Sequence, residues 1–288
     1  DTLAWVEKSQ SVLTALKNEI GDTEEGKKEL SNIYLTLASE LKTQFESLQD
    51  NKQRSAFADG LESFLSGLGS EGSGDRELML LTASMHSEIG LGLQQHDLTS
   101  QASRFFSQGV KVYQELSQQP DSDARRQLAI DRGLANCLRG SEQYEEAIRK
   151  FGDILEDPAN QRYIDLQVDA AYAFTEWGLS INNPDALAWS IQGGEKRTVD
   201  GKETNTILGW SKLAKAAQRA RNPELLAEAV FNIARGKFQY GKIKSNTRLQ
   251  QAAIDEIKKF KTNVPDMGGP HWQQKLEELL ARLENEVG

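Results

Sequence analysis

Apolar residues recur along this chain at the three- and four-residue spacing that places them on one face of an α-helix. The first three stripes of this kind cover residues 3–20, 30–48 and 56–65. No alternation of apolar and polar residues is long enough to indicate a β-strand. The pattern therefore predicts an all-α protein, beginning with a helical N-terminal unit at residues 1–66.

Glycine and serine dominate the segment that follows the third stripe, so residues 67–75 are predicted to be a linker or loop. Helical stripes resume at residue 76 and continue as successive pairs, which predicts a helical repeat array at residues 76–288. A polar insertion near residues 192–205 interrupts the array. Its Val-Asp-Gly-Lys turn signal indicates an exposed loop or a small hairpin. The last helix alternates charged residues with leucines and suits a C-terminal capping helix.

Small and bulky residues recur at fixed positions across the helix pairs of the array. Small residues let two helix backbones approach to about 8–9 Å, and a bulky residue fills the gap beside them. One helix pair cannot bury its own apolar face, so the pattern predicts three or more stacked pairs. The two clearest copies carry Ala135, Ala147, Phe151, Ile154 and Pro158, and Gly90, Ala102, Phe106 and Gly109.

These positions resemble the tetratricopeptide repeat family, whose period is about 34 residues in two antiparallel helices. The resemblance covers about residues 76–263, with looser copies around Ala171 and Ala234. It implies an α-solenoid of stacked antiparallel helix pairs, wound as a right-handed superhelix that binds other molecules on its concave face. The tail at residues 265–272 is similar to the closing segment of some large bacterial repeat proteins.

In the resembled family the ligand contacts come from the first helix of each pair. Arginine and asparagine there could hold a peptide carboxylate or backbone through charge-assisted hydrogen bonds. The alternative is that they are ordinary polar residues on a solvated face. The match to the family's carboxylate-binding version is incomplete, because Val168 and Tyr172 occupy the corresponding places of the middle repeat. By this register the groove residues are Arg132, Asn136, Arg139, Asn232 and Arg235.

The charge balance limits the class of partner. A net charge of -9 and a pI near 5.1 argue against a general nucleic-acid binder and against docking on an anionic membrane surface. No apolar run reaches the length of a membrane span. Because the chain starts at Asp1 without Met, we expect a trimmed or processed piece, and its localisation, cytoplasmic or exported, stays open.

No residue pattern indicates catalysis, a metal or a cofactor. The three histidines are far apart in sequence, and Ser39 with Lys42 forms an isolated Ser-x-x-Lys match that we attribute to chance. Cys137 cannot form an internal disulfide, because it is the single cysteine, and it is expected in the core. The tryptophans that bracket the polar insertion either fill the core or line a pocket; these are Trp177, Trp189 and Trp210.

Three functions remain. The sequence favours a non-enzymatic scaffold that binds a protein or peptide partner on the concave face of the array. The first alternative is a structural end piece of a larger repeat protein that self-associates. The second is an enzyme with a pocket near Trp177–Trp210, which would need convergent polar groups that the sequence does not show.

Overall fold

The computed structural model describes Ser11, Ala15 and residues 23–71, 75–199 and 202–287. The helix predicted at residues 3–20 therefore lies outside the described residues, apart from Ser11 and Ala15, which are helical. The chain separates into two compact units, Asp1–Gln143 and Tyr144–Gly288. The prediction of an all-helical protein with packed neighbouring helices is confirmed at this level.

The first unit consists of α-helices in its described part. Helices α1 and α2 both pack against α3, and α4 packs between α3 and α5. The carboxylates of Asp75 and Asp123 accept hydrogen bonds from backbone N–H groups in the first turns of α3 and α5. The helices are α1 (Glu24–Ser47), α2 (Asn51–Glu71), α3 (Arg76–Gln95), α4 (Thr99–Ser117) and α5 (Ala124–Gly140).

The small and bulky positions of the first unit interlock. The Phe106 ring of α4 is fully buried and lies against Gly90 on α3 and Gly140 on α5. A Cβ atom added at Gly90 would come within 2.8 Å of the ring, and one added at Gly140 would overlap it. Gly109 leaves similar room for the thiol of Cys137. Glycine is therefore required here by close helix packing.

Helix α2 continues into the segment predicted as a linker. It extends through Gly67 and Gly69 to Glu71, while residues 72–74 lie outside the described part. Leu68 is buried, and it extends the apolar stripe of this helix by one turn beyond Leu65. That burial offsets the low helix propensity of the two glycines.

The described part of the second unit contains α6 and six further α-helices, and a short β-hairpin lies between α8 and α9. Helix α10 is its centre and packs against α7, α8, α9, α11 and α12. Lys258 and Lys261 of α11 form ion pairs with Glu284 and Glu277 of α12. The elements are α6 (Tyr144–Glu156), a 3-10 turn (Asn160–Arg162), α7 (Ile164–Ser180), α8 (Pro184–Gln192), β1 (Gly193–Val199), β2 (Lys202–Leu208), α9 (Trp210–Ala220), α10 (Pro223–Ile243), α11 (Thr247–Asn263) and α12 (Pro270–Val287).

The polar insertion forms an antiparallel hairpin, in which β1 pairs with β2 from Gly193↔Leu208 to Val199↔Lys202. Of the two alternatives for this insertion, an exposed loop or a small hairpin, the structure has the hairpin, although no alternation of apolar and polar residues indicated its strands. The buried side chain of Gln167 on α7 holds the base of the hairpin: its Nε2 donates to the Thr206 carbonyl at 3.0 Å, and its Oε1 accepts from the Leu208 N–H at 2.7 Å. The Gln167 side chain of α7 therefore satisfies one carbonyl group and one N–H group at the end of β2.

Candidate functional site

The five predicted groove residues lie on two helices, one in each compact unit. Arg132, Asn136 and Arg139 belong to α5, and Asn232 and Arg235 belong to α10. Arg132, Asn136 and Arg235 are half-buried, so their side chains reach the surface in part. The five residues thus form two groups, three on α5 in the first unit and two on α10 in the second unit.

Two of the five side chains are buried, which corrects their assignment to a solvent-facing groove. Asn232 has no exposed surface, and its Nδ2 donates to the Glu228 carbonyl one turn earlier at 3.0 Å. Arg139 is 7% exposed. Helix α10 packs against five other helices, which is more than the first helix of an isolated pair would contact. The Asn232 side chain faces these neighbouring helices and not the solvent.

Helix α10 leaves one narrow stripe open along its central turns. Glu228, Phe231 and Arg235 are half-buried, while the positions between 229 and 234 other than Phe231 are buried. Their spacing of three and four residues places these three side chains on one face. The stripe is therefore the part of the central turns of α10 that is open to a ligand.

Side chains from two other helices adjoin this stripe. The Tyr172 hydroxyl of α7 donates to Glu228 Oε1 at 2.6 Å. The rings of Phe231 and Trp272 of α12 lie 5.8 Å apart, and the Lys275 Nζ lies 5.3 Å from the Trp272 ring centre. These contacts join three helices into one surface, called here the α7–α10–α12 face; it comprises Tyr172, Glu228, Phe231, Arg235, Trp272 and Lys275. The charges of Glu176 and Arg282 act on Arg235 from α7 and α12.

The Glu228 carboxylate is the most perturbed acid of this face. Burial raises its pKa above the usual range, and the Tyr172 hydrogen bond and the Lys275 charge oppose that shift. The nearby carboxylates of Asp169 and Asp165 raise the pKa further. Glu228 is thus a partly desolvated acid that accepts one phenol hydrogen bond and lies in the field of the Lys275 charge.

Arg235 lies two turns further along the stripe, over the Phe231 ring at 6.0 Å. Burial lowers its pKa, and the positive charge of Arg282 on α12 acts in the same direction, while Glu176 on α7 favours the charged form. An arginine stays protonated in proteins despite such shifts. The guanidinium is therefore a permanent, half-desolvated positive charge on the face.

Buried contacts behind the face keep α7 in place. The Trp210 indole is fully buried, its Nε1 donates to Thr175 Oγ1 at 2.9 Å, and its ring meets Tyr172 edge-on with centres 4.9 Å apart. Trp210 is thus a core residue. Trp189 is 42% exposed and packs against Trp177 and Phe174 at 6.4 and 5.8 Å.

Cys137 and His86 are among the groups with shifted pKa values in the core of the first unit. Burial raises the pKa of the Cys137 thiol to about 12, so the thiolate that would act as a nucleophile is suppressed. Burial lowers the pKa of His86 to about 4. Among the described residues, no three side chains of His, Cys, Asp or Glu come together as a possible metal site.

The sequence interpretation missed most of the face. In the family pattern Tyr172 is a departure, and the predicted capping role of α12 gives no reason to expect contributions from Trp272, Lys275 and Arg282. The available signal was the set of mixed aromatic and charged residues spaced by three and four on α10. The three- and four-residue spacing of Glu228, Phe231 and Arg235 places all three side chains on one face of α10.

No protein-family model matches this chain, and no curated protein matches it either. The class of the protein therefore follows from the described residues: it is an all-helical protein whose neighbouring helices pack together. None of its described helices is long and apolar enough to cross a membrane.

Proposed function

We propose that the protein is a non-enzymatic interaction module that binds a peptide or a protein segment on the α7–α10–α12 face. The observation that carries the proposal is the convergence of aromatic and charged side chains from three helices on one half-buried surface. Half-buried aromatic rings supply contact area at low entropic cost, and arginine supplies directional hydrogen bonds, which is the composition of protein-binding hot spots.

The proposed architecture behind this function is a solenoid in which α7, α10 and α12 are like-oriented helices. On α7 and α10, Tyr172 faces Glu228 while Glu176 acts on Arg235, so residue numbers rise in the same direction on both helices. On α12, Trp272 contacts Phe231 and Glu286 forms an ion pair with Lys242, so residue numbers on α12 rise in the same direction as on α10. Parallel helices side by side support a ligand that lies across them in an extended conformation.

Arg132 and Asn136 on α5 remain predicted ligand contacts of the first unit, separate from the α7–α10–α12 face. Their half-buried positions are compatible with that role. The hydrogen bonds expected from the Arg132 guanidinium and the Asn136 amide to a peptide carboxylate or backbone come from α5 alone and need no contribution from the second unit.

The test is selection of binding peptides from a displayed random library on the whole chain, followed by affinity measurements with variants. Phe231→Ala removes the central aromatic of the face and is expected to weaken the selected peptides about tenfold. Arg248→Gln serves as a control, because Arg248 is exposed on α11 and is not part of the face. Selected peptides that bind Phe231→Ala and the parent protein equally would remove the proposed site.

Self-association is a second candidate function, favoured by exposed apolar residues at the end of α7 and on α8. Ile181 is 63% exposed and Trp189 is 42% exposed, and Trp189 lies beside Trp177. Clusters of exposed apolar side chains commonly mark interfaces. Light scattering over a wide concentration range is expected to show dimers that Ile181→Lys abolishes and Val287→Lys, at another exposed apolar position, leaves intact. A monomer at every concentration contradicts this candidate.

A further inference from the structure

Helix α9 has a buried apolar face and an exposed cationic face. Residues at the helical spacing of three and four positions form the inner face, and they are the buried Trp210, Leu213 and Ala217. The same spacing recurs on the opposite side of the helix with three exposed basic residues. These residues, called here the cationic row, are Lys212, Lys215 and Arg219. The row is therefore a line of positive charge that points away from the core.

The cationic row has no acidic neighbour among the residues that the structure describes. Helix α9 contains no Asp or Glu, and none of the three cations forms an ion pair with a described residue. Lysines of the next helix differ in this respect. Lys237 of α10 pairs with Glu256 at 2.5 Å, and Lys242 pairs with Glu286 at 2.6 Å. The chain has a net charge of -9, so carboxylates are in excess, yet no described carboxylate lies at ion-pair distance from the row.

The stability of α9 does not account for the positions of these charges. Lys212 lies in the first turn, where the helix dipole favours acidic residues over basic ones. Lys215 and Arg219 are four residues apart, and like charges at that spacing repel each other. The dipole favours only Arg219, which lies in the last turn. A negatively charged partner would relieve the repulsion along the row.

We propose that the cationic row of α9 is a docking surface for an acidic segment of a partner protein. The three cations span about 10.5 Å along the helix axis, and they complement carboxylates that recur at three- and four-residue spacing on a partner helix. Lysine and arginine both donate charge-assisted hydrogen bonds to a carboxylate. None of the three residues belongs to the α7–α10–α12 face, so this surface is additional to the proposed binding face.

The charge of the whole chain favours a short acidic segment over a nucleic acid or a membrane surface. Exposed charges interact over about 8 Å at physiological ionic strength, so a short segment responds mainly to the row itself. A nucleic acid or an anionic bilayer extends much further and also meets the surrounding surface of a chain with a net charge of -9. That surface repels a polyanion.

The experiment titrates the whole chain into a labelled, alanine-rich peptide that carries three glutamates at the spacing of the row. A matched peptide carries glutamine at the same places, and fluorescence anisotropy reports binding. At low ionic strength the Glu peptide is expected to bind about tenfold more tightly than the Gln peptide, because three exposed ion pairs each add a small contribution. Added salt is expected to remove most of that difference. Equal binding of the two peptides at low ionic strength would overturn the proposal.

Variants connect the preference for the Glu peptide to the cationic row. A triple variant with Lys212→Gln, Lys215→Gln and Arg219→Gln is expected to lose the tenfold preference, and it leaves the core intact because these side chains are exposed. The control removes two lysines and one arginine from other exposed positions of the second unit; it combines Lys244→Gln, Arg248→Gln and Lys259→Gln. Equal losses in the two triple variants would mean that the overall charge, and not the row, attracts the peptide.

Further probes separate the proposed partner from other anions and from the proposed function. Vesicles of phosphatidylserine and phosphatidylcholine and a labelled single-stranded oligonucleotide are titrated in the same way. If these bind through the row and the Glu peptide does not, the assignment of an acidic protein segment is wrong. Phe231→Ala is expected to leave binding of the Glu peptide unchanged, so the row and the α7–α10–α12 face stand or fall separately. Loss of Glu-peptide binding in Phe231→Ala would contradict a separate docking surface on α9.

Discussion

At the scale of single residues, the most consequential polar side chains are those that have lost water without gaining a full set of partners. His86 is 4% exposed, packs against the Phe105 ring at 5.6 Å, and has no hydrogen bond to its Nδ1 among the described residues. Glu228 loses water in the second unit but keeps the Tyr172 hydroxyl. Such groups make stability depend on pH, because their pKa values differ between folded and unfolded chains.

His86 makes the first unit sensitive to acid. Burial lowers its pKa to about 4 from 6.5, so the unfolded chain binds more protons between these values. The stability associated with the neutral imidazole is complete above pH 6.5 and is lost as the pH falls towards 4. Urea unfolding at pH 7.5 and pH 5.0 is expected to show a loss of about 2 kcal/mol from this residue.

His86→Leu is expected to remove that part of the pH dependence, because it replaces the imidazole with an apolar group that does not titrate. His271→Leu is the control, since His271 is exposed on α12. The explanation fails if the stability of the His86→Leu protein falls with pH as steeply as that of the parent.

The pKa shift of Glu228 has the opposite effect on the pH dependence of stability from that of His86. Burial raises its pKa above the unfolded value, so the carboxylate costs stability once the pH has risen through the folded pKa. Glu228→Gln keeps an acceptor for the Tyr172 hydroxyl and removes the buried charge. It is expected to raise the free energy of unfolding at pH 7 and to have little effect at pH 4. Glu278→Gln, at an exposed position on α12, is the control, and a loss of stability at pH 7 in Glu228→Gln would contradict the argument.

At the scale of elements, close approach between helices is set by glycines that face aromatic rings. The Phe106 ring occupies the space that side chains at Gly90 and Gly140 would need. Gly236 on α10 is different, because a Cβ atom there would make ordinary contacts with Ile191 at 3.5 Å. The same substitution therefore has opposite expected effects at two glycines.

Gly140→Ala is expected to destabilise the protein by about 1–3 kcal/mol, because the ring of a fully buried Phe106 must move. Gly236→Ala is expected to be neutral or to stabilise by up to about 1 kcal/mol, through better helix propensity. Denaturant unfolding of both variants is the measurement. Equal effects of the two substitutions would show that helix propensity, and not the ring contact, decides the outcome.

The helices could be predicted from sequence because each carries an apolar stripe with the helical period, as at Phe57, Leu61, Phe64 and Leu65 of α2. The hairpin strands lack such a signal, since Glu-Lys-Arg-Thr gives no alternation of apolar residues. Their end is fixed by Gln167, which is 41 residues from Leu208 in sequence. A contact of that range cannot be read from local periodicity.

The site was predictable only in part, for a similar reason. The register of the resembled family identified α10 and Arg235, but it also selected Asn232, which the packing of α10 buries. Whether a polar position on a central helix reaches the surface depends on how many helices surround it. The contribution of Arg282 depends on where α12 returns along α10, and the sequence alone does not specify that return.

At the scale of the whole molecule, the chain forms two compact units, Asp1–Gln143 and Tyr144–Gly288, and each has buried aromatic and aliphatic residues of its own. The boundary falls between α5 and α6, the two helices that form the clearest copy of the sequence repeat. Compact units with separate hydrophobic cores are able to open separately. Core substitutions placed in each unit can measure that separation.

Phe57→Ala removes a ring that is 1% exposed and stacks on Phe45 at 6.3 Å in the first unit, and Ile257→Ala removes a fully buried side chain in the second. Each is expected to cost about 2–5 kcal/mol within its own unit. Hydrogen exchange should therefore accelerate in α2–α5 for Phe57→Ala and in α10–α12 for Ile257→Ala, with the other unit unchanged. Acceleration of both units by either substitution would mean that the chain unfolds as one cooperative structure. In that case the proposed binding face of the second unit would depend on the packing of the first unit for its stability.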